Sequence, residues 1–120
     1  MLVRIDPASD VAIFDQVAGS IRADMVEGNL RPGDKLPAAR ELAASLQVNL
    51  HTVLRAYQVL REEGLVDMRR GRGAVVTAAA GTLSQLRDQI LDLSRKALAL
   101  GMAPDALAAL VRDSLRLDAD

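Results

Sequence analysis

The stretch from Ala38 to Glu63, AARELAASLQVNLHTVLRAYQVLREE, decides the fold. Its first part, Ala38 to Leu46, is rich in alanine, the best helix former, and sets Leu42 and Leu46 one turn apart. Gln47-Val48-Asn49 then interrupts the pattern. A second helix is predicted from about Leu50 to Glu63, and it carries two stripes. Val53, Ala56, Tyr57 and Leu60 follow the i, i+3, i+4, i+7 rule of a buried face. His51, Arg55, Gln58 and Glu62 keep a similar spacing on a polar side. Two helices joined by about three residues match the helix-turn-helix pattern.

Downstream, Gly64 stops the second helix. Leu65-Val66-Asp67-Met68-Arg69 reads as a strand, Arg70-Gly71-Arg72-Gly73 as a tight turn and Ala74-Val75-Val76-Thr77 as the returning strand. This hairpin, with arginines at its tip, stands where a wing would follow. Upstream, Asp10 is placed to cap a helix whose apolar residues are Ile13, Phe14, Val17, Ile21 and Met25. Gly28 and Asn29 end that helix, and Arg31-Pro32-Gly33-Asp34 is turn chemistry. Lys35 and Leu36 are expected as a short strand, with Pro37 where the next helix begins. The order helix, helix, helix, hairpin defines a winged helix-turn-helix.

Beyond the hairpin, Ala78-Ala79-Ala80-Gly81 reads as a linker and Thr82 as a helix cap. Leu83, Leu86, Ile90, Leu93, Ala97 and Leu100 then step by 3, 4, 3, 4 and 3, the spacing a helix uses to pack along another helix. Gly101 breaks this helix, and Ala103-Pro104-Asp105 restarts a last one bearing Leu107, Leu110, Val111 and Leu115. A lone two-helix hairpin cannot bury its own face well, so a second copy of the chain is the expected partner. The fold class is thus mainly α with a small β-hairpin. A winged helix-turn-helix over residues 1–78 precedes a two-helix dimerisation segment over residues 79–120.

Composition narrows the function. Half of the 120 residues are apolar, enough for a core. With one Phe, one Tyr and no Trp, that core must be aliphatic. No cysteine and one histidine leave neither a disulfide framework nor a metal-ligand set, so no metal and no cofactor are expected. Gly-x-Ser-x-Gly and phosphate-loop motifs are missing too, which speaks against an enzyme. Gly71-Arg72-Gly73 is no dinucleotide fingerprint, because a strand follows it rather than a helix. The N-terminal residues lack the pattern of a secretory signal, and no apolar stretch would span a bilayer. A soluble, cytoplasmic protein without membrane association is expected.

Net charge is −1, so any attraction to nucleic acid must be local. Arg69, Arg70 and Arg72 occupy Met68 to Ala74 with no acid among them. The acids gather in the first helix (Asp10, Asp15, Asp24, Glu27) and toward the C-terminus (Asp88, Asp92, Asp105, Asp113).

These residues, from Ala12 to Val76, resemble the DNA-binding domain of GntR-type bacterial regulators. The likeness lies in Ile13-Phe14-Asp15-Gln16-Val17, Leu30-Arg31-Pro32-Gly33-Asp34-Lys35-Leu36-Pro37, Arg40-Glu41-Leu42-Ala43, Glu62-Glu63-Gly64-Leu65-Val66 and Arg70-Gly71-Arg72-Gly73, all in order. Val48-Asn49, Thr52-Val53, Arg55-Ala56-Tyr57 and the short tail broken at Leu98-Ala99-Leu100-Gly101 resemble the YtrA subfamily. That subfamily lacks a large effector domain and dimerises through its tail. The resemblance implies a homodimeric repressor, often of operons that encode transporters. Most of the wider family places arginines where this chain has Leu50 and Leu54. Leucine donates nothing to guanine or phosphate, although a thymine methyl is chemically open to it.

His51, Thr52 and Arg55 lie near the start of the second helix, the end that meets base edges in a major groove. Arg55 suits a bidentate contact to guanine, its plain alternative being a pair with an acid such as Glu62. Arg40 matches a family position that touches DNA, and Asn49 is either a helix cap or a contact. Arg70, Gly71, Arg72 and Gly73 would bring a wing close to the minor groove or to phosphates. The expected protein is a sequence-specific transcriptional regulator, probing double-stranded DNA as a homodimer on an inverted repeat. The alternative is a winged-helix module that binds proteins. The tail of about forty residues is too short to enclose a typical pocket of about 300 Å³ in one subunit. A small-molecule effector, if one exists, would sit between subunits or between the tail and the winged domain.

Overall fold

The computed structural model describes residues 2–119. Among them the elements run α1 (Ile13–Val26), α2 (Ala39–Leu46), α3 (Leu50–Glu62), β1 (Val66–Arg69), β2 (Gly73–Val76), a 3-10 turn (Ala78–Thr82), α4 (Leu83–Ala99) and α5 (Pro104–Ala119). The chain divides into two compact units, with the boundary between Gln85 and Leu86.

The first unit is built on the aliphatic core that the composition demands. α1 contributes Val17, Ala18, Ile21 and Met25, α2 contributes Leu42 and Ala43, and α3 contributes Val53, Ala56, Tyr57 and Leu60. All four residues of the apolar stripe on α3 are therefore buried, which leaves the opposite side of that helix to solvent. Tyr57 adds a polar tie, its hydroxyl donating to the Pro37 carbonyl at 2.8 Å. Burial pushes this phenol up to about 12 from its usual 10.0. Arg22 of α1 meets Glu63 just beyond α3 through two parallel hydrogen bonds of 3.0 and 2.9 Å.

The α2–α3 turn has a definite geometry. Gln47 takes the left-handed conformation (φ 57°), the one residue other than glycine to do so among those described. Its N–H donates to the Ala44 carbonyl at 3.3 Å, and the Val48 N–H donates to Ala43 at 3.0 Å. These two bonds are those of a Schellman motif, which closes a helix and redirects the chain. The Asn49 side-chain oxygen then accepts from the His51 N–H at 2.8 Å and caps α3.

β1 and β2 pair antiparallel, with Val66 opposite Val76 and Arg69 opposite Gly73. The expected strand at Lys35-Leu36 is reduced to a bridge from Lys35 to Val75 on the other edge of β2. Around it, Gly33 N donates to Val76 O at 2.8 Å, Val76 N to Asp34 O at 2.8 Å and Leu36 N to Ala74 O at 2.9 Å. The base of the hairpin is thus held from both sides, while Ala74 and Val76 face the core.

Three local expectations need correction. Asp10 does not cap α1: the cap position is Ala12, without a side-chain bond. Gln16, from inside the helix, instead ties down the segment ahead of it, its amide nitrogen donating to Val11 O at 2.8 Å and Asp6 O at 3.0 Å while its oxygen accepts from Asp6 N. Thr82 is not a helix cap either; it lies in the 3-10 turn and donates to Ala79 O at 2.7 Å. The stretch Ala78–Gly81 is no loose linker, because Ala80 is fully buried in the core. A methyl group on Gly81 would stand 3.0 Å from Pro32 Cγ, so this turn packs tightly against the Arg31–Asp34 loop.

The second unit holds α4 from Leu86 onward and α5. Gly101 ends α4 in the left-handed region (φ 77°), and the Met102 N–H returns to Ala97 O at 3.0 Å. Of the heptad stripe, Leu83 packs on the core of the first unit and Ala97 is buried. Leu86, Ile90 and Leu93 are exposed on α4 and Leu100 just beyond it, as are Leu110, Val111, Leu115 and Leu117 on α5, with Leu107 half-buried.

Candidate nucleic-acid interface

The site begins with the two-sidedness of α3. Because 53, 56, 57 and 60 are spent on the core, helical geometry turns 51, 54, 55 and 58 outward, and all four are exposed. His51 and Arg55 therefore share one outward stripe, one turn apart. Thr52, half-buried, is fixed through its own N–H, which donates to Asn49 O at 3.0 Å. The Arg55 guanidinium lies over the Phe14 ring, 3.9 Å from its centroid. It does not pair with Glu62, which accepts from Gln58 Nε2 at 3.4 Å. Ile13, Phe14, His51, Thr52 and Arg55 together line an open hollow of about 270 Å³.

That hollow gathers three of the residues singled out in the sequence. Asn49 stands at the head of the same helix as its cap. Arg40 is exposed in the first turn of α2, and Arg70 to Gly73 form the hairpin tip, outside the hollow. At the tip, Gly71 and Gly73 hold φ of 79° and 75°, a region open to glycine at no steric cost, and the Arg72 N–H closes the turn onto Arg69 O at 3.0 Å. Arg70 and Arg72 are exposed, and among the described residues neither is engaged in an ion pair. Arg69 leans toward Asp67 at 3.9 Å. The tip thus offers uncompensated guanidinium groups, which form charge-assisted bonds to phosphate oxygens or enter a narrow groove.

Two contributors escaped the sequence reading. Phe14 was legible as part of the apolar face of α1 and of the family likeness, but nothing in a local period ties it to a residue 41 positions away. Lys35 lies beside the wing: a methyl group on Gly73 would touch its Cε at 3.9 Å. Its backbone bridges Val75 while its side chain reaches toward Gly73 at the tip, a placement that only the pairing reveals. Among the described residues no cluster of three or more His, Cys, Asp or Glu side chains could hold a metal, and no helix is long and apolar enough to cross a membrane.

Comparison with known proteins places this geometry. The family described as "Bacterial regulatory proteins, gntR family" matches residues 13–76, from the first residue of α1 to the last of β2. The HTH-type transcriptional repressor YtrA of Bacillus subtilis (strain 168) is 34% identical over 98 residues, covering 77% of this chain and 75% of its own length. Among solved structures, YtrA from Sulfolobus acidocaldarius, a GntR-family transcription factor, is similar with a TM-score of 0.63. Its identity is 36%, over 82% of this chain and 99% of that one. AraR(DBD), solved in complex with operator ORX1, is similar with a TM-score of 0.55 at 28% identity, over 62% of this chain and 92% of its own. The relatives are transcriptional regulators rather than enzymes, and this chain belongs to the GntR family of bacterial transcriptional regulators, within which it is YtrA-like.

Proposed function

We propose that this regulator is a repressor that binds an inverted-repeat operator as a homodimer. Residues 1–78 grip the DNA and residues 79–120 join the two copies. The observation that carries the reading is the outward stripe of α3, where His51 and Arg55 stand exposed opposite four buried residues. In this reading α3 enters the major groove, and Arg55 and His51 meet base edges near the capped start of the helix. Arg40 meets the backbone, while Arg70 and Arg72 reach phosphates or the adjacent minor groove. Two copies present two such helices to successive grooves, about one helical turn of 10–10.5 bp or a multiple apart. A dimer seated on a promoter blocks transcription, and such a regulator works in the cytoplasm, where bacterial DNA lies. The support for pairing is the apolar face left on α4 and α5, which would meet its own copy.

Selection of bound fragments from a random duplex library by the full chain tests the reading, together with a salt titration on the selected site. An inverted repeat is expected. Log affinity should fall linearly with log salt, by about 0.9 per phosphate contacted. Recovery of asymmetric single sites would overturn the dimer, and absence of both sequence preference and salt dependence would overturn DNA binding in favour of a protein partner.

A further inference from the structure

α3 carries one large apolar side chain that its packing does not use. Leu54 is 43% exposed, and among the described residues no other large apolar residue of this helix is exposed. Isolated exposed leucines are ordinary on protein surfaces. This one differs in its position. At about 100° per residue, Leu54 lies at one edge of the outward arc, with Gln58 roughly 40°, His51 roughly 60° and Arg55 roughly 100° around the helix, all on the same side of it. It borders the hydrogen-bonding groups of Gln58 and His51 and is not among the residues packed on the core, so its exposed part costs solvation there.

We infer that Leu54 is a specificity-determining residue that reads the 5-methyl group of a thymine in the operator. The inference rests on α3 occupying the major groove. Of the four bases only thymine presents a methyl group there. Closing a half-exposed leucine over that methyl removes apolar surface from both partners. The same side chain has no donor or acceptor, so a guanine or adenine edge facing it would lose water and gain no hydrogen bond. Attraction and rejection therefore favour the same base. Arg55, next in the chain, sets the neighbouring register by its own chemistry, so the thymine belongs within a base pair or two of the position Arg55 reads.

The test uses the full chain and the selected operator. Each thymine of a half-site is replaced in turn by uracil, which removes only the methyl group. At one thymine the wild-type chain should bind about three- to fivefold more weakly, the weight of one buried methyl. Leu54→Ala, a change at an exposed position, should bind the thymine and uracil duplexes equally while keeping the wild-type salt slope and helical content. A wild-type chain indifferent to uracil at every thymine overturns the inference. So does Leu54→Ala that still prefers thymine, since the methyl would then act through DNA shape. If Arg55→Ala relaxes one base pair while uracil has no effect, α3 reads bases and the role of Leu54 alone is refuted. If the chain selects no preferred sequence, both fall together.

Discussion

The guanidinium of Arg55 rests on the ring of Phe14, 3.9 Å from its centroid, so α1 steadies an arginine that α3 presents to solvent. Such a contact is worth about 0.5–1 kcal/mol at an exposed site. Its use lies in geometry. A guanidinium stacked through its face keeps its N–H groups free at the edge, where bidentate recognition takes place. Less rotamer freedom then remains to be lost on binding.

Replacing Phe14 with leucine should keep an aliphatic side chain in the α1–α3 seam and remove the ring. We expect discrimination at the base pair read by Arg55 to fall about two- to fivefold, matching the contact energy. Arg55→Ala should abolish preference at that base pair. Competition binding between the selected operator and its single-base variants measures both, and unchanged discrimination in Phe14→Leu would show that the ring only packs.

Arg72→Ala should act differently. Among the described residues its side chain has no ion-pair partner at the turn, so its loss should weaken binding to every sequence alike and reduce the salt slope by about one. Fluorescence anisotropy with specific and random duplexes at several salt concentrations checks this. A loss confined to the specific site would place Arg72 against bases instead.

Tyr57 is the only tyrosine in a chain without tryptophan, so tyrosinate absorbance near 295 nm reports this one group. Burial favours the neutral phenol, and its midpoint should lie at about 12 in the folded chain and near 10 in denaturant. The unfolded chain therefore releases the proton first as pH rises. The stability tied to this hydroxyl is whole below pH 10 and is lost between about pH 10 and 12. Tyr57→Phe should cost about 1 kcal/mol at neutral pH, from the bond to Pro37, and should remove this part of the alkaline loss. Urea melts from pH 7 to 11 measure it.

Gln47 adopts a conformation that costs a side chain about 1–2 kcal/mol, whereas the equivalent position after α3 is Gly64 (φ 79°). Gln47→Gly should relieve that strain, partly offset by the freedom glycine gains in the unfolded chain, for a net gain of about 0.5 kcal/mol. Gln47→Val should lose about 1 kcal/mol or more, since β-branching is least tolerated there. Thermal melts order the three proteins, and a destabilised glycine variant would show that the glutamine side chain makes a contribution of its own.

Ile90→Glu puts a charge into the middle of the exposed stripe on α4. If two copies meet on that face, sedimentation should show a monomer with wild-type helical content. Operator affinity should drop about a hundredfold or more, because the second half-site no longer gains from tethering. A dimer that survives this change would move the subunit contact elsewhere.

The sequence showed α3 and its two faces because both follow from a local period that tertiary structure did not override. The cap at Asn49 was one of two readings offered, and the bond from the His51 N–H shows the capping one. Asp10 and Thr82 misled for a shared reason. Each is a good capping type near a helix start, but the helices begin elsewhere: α1 starts after Ala12 with no side-chain cap, and Thr82 lies within the continuing alanine turn. Ala80 looked like a linker because an alanine's burial depends on what lies above it. The support of Arg55 by Phe14 and of the wing by Lys35 is long-range pairing, to which a one-dimensional pattern is blind.

The hairpin has its base stitched on both edges of β2, yet its tip hangs on a single turn bond from Arg72 to Arg69. Rigidity is therefore graded along a few residues. If the wing enters a groove as proposed, adjustment to the groove's width would fall on Arg70, Gly71 and Arg72 rather than on the body behind them. Evolution could retune this loop, lengthening it or exchanging its arginines, and leave the helical scaffold undisturbed.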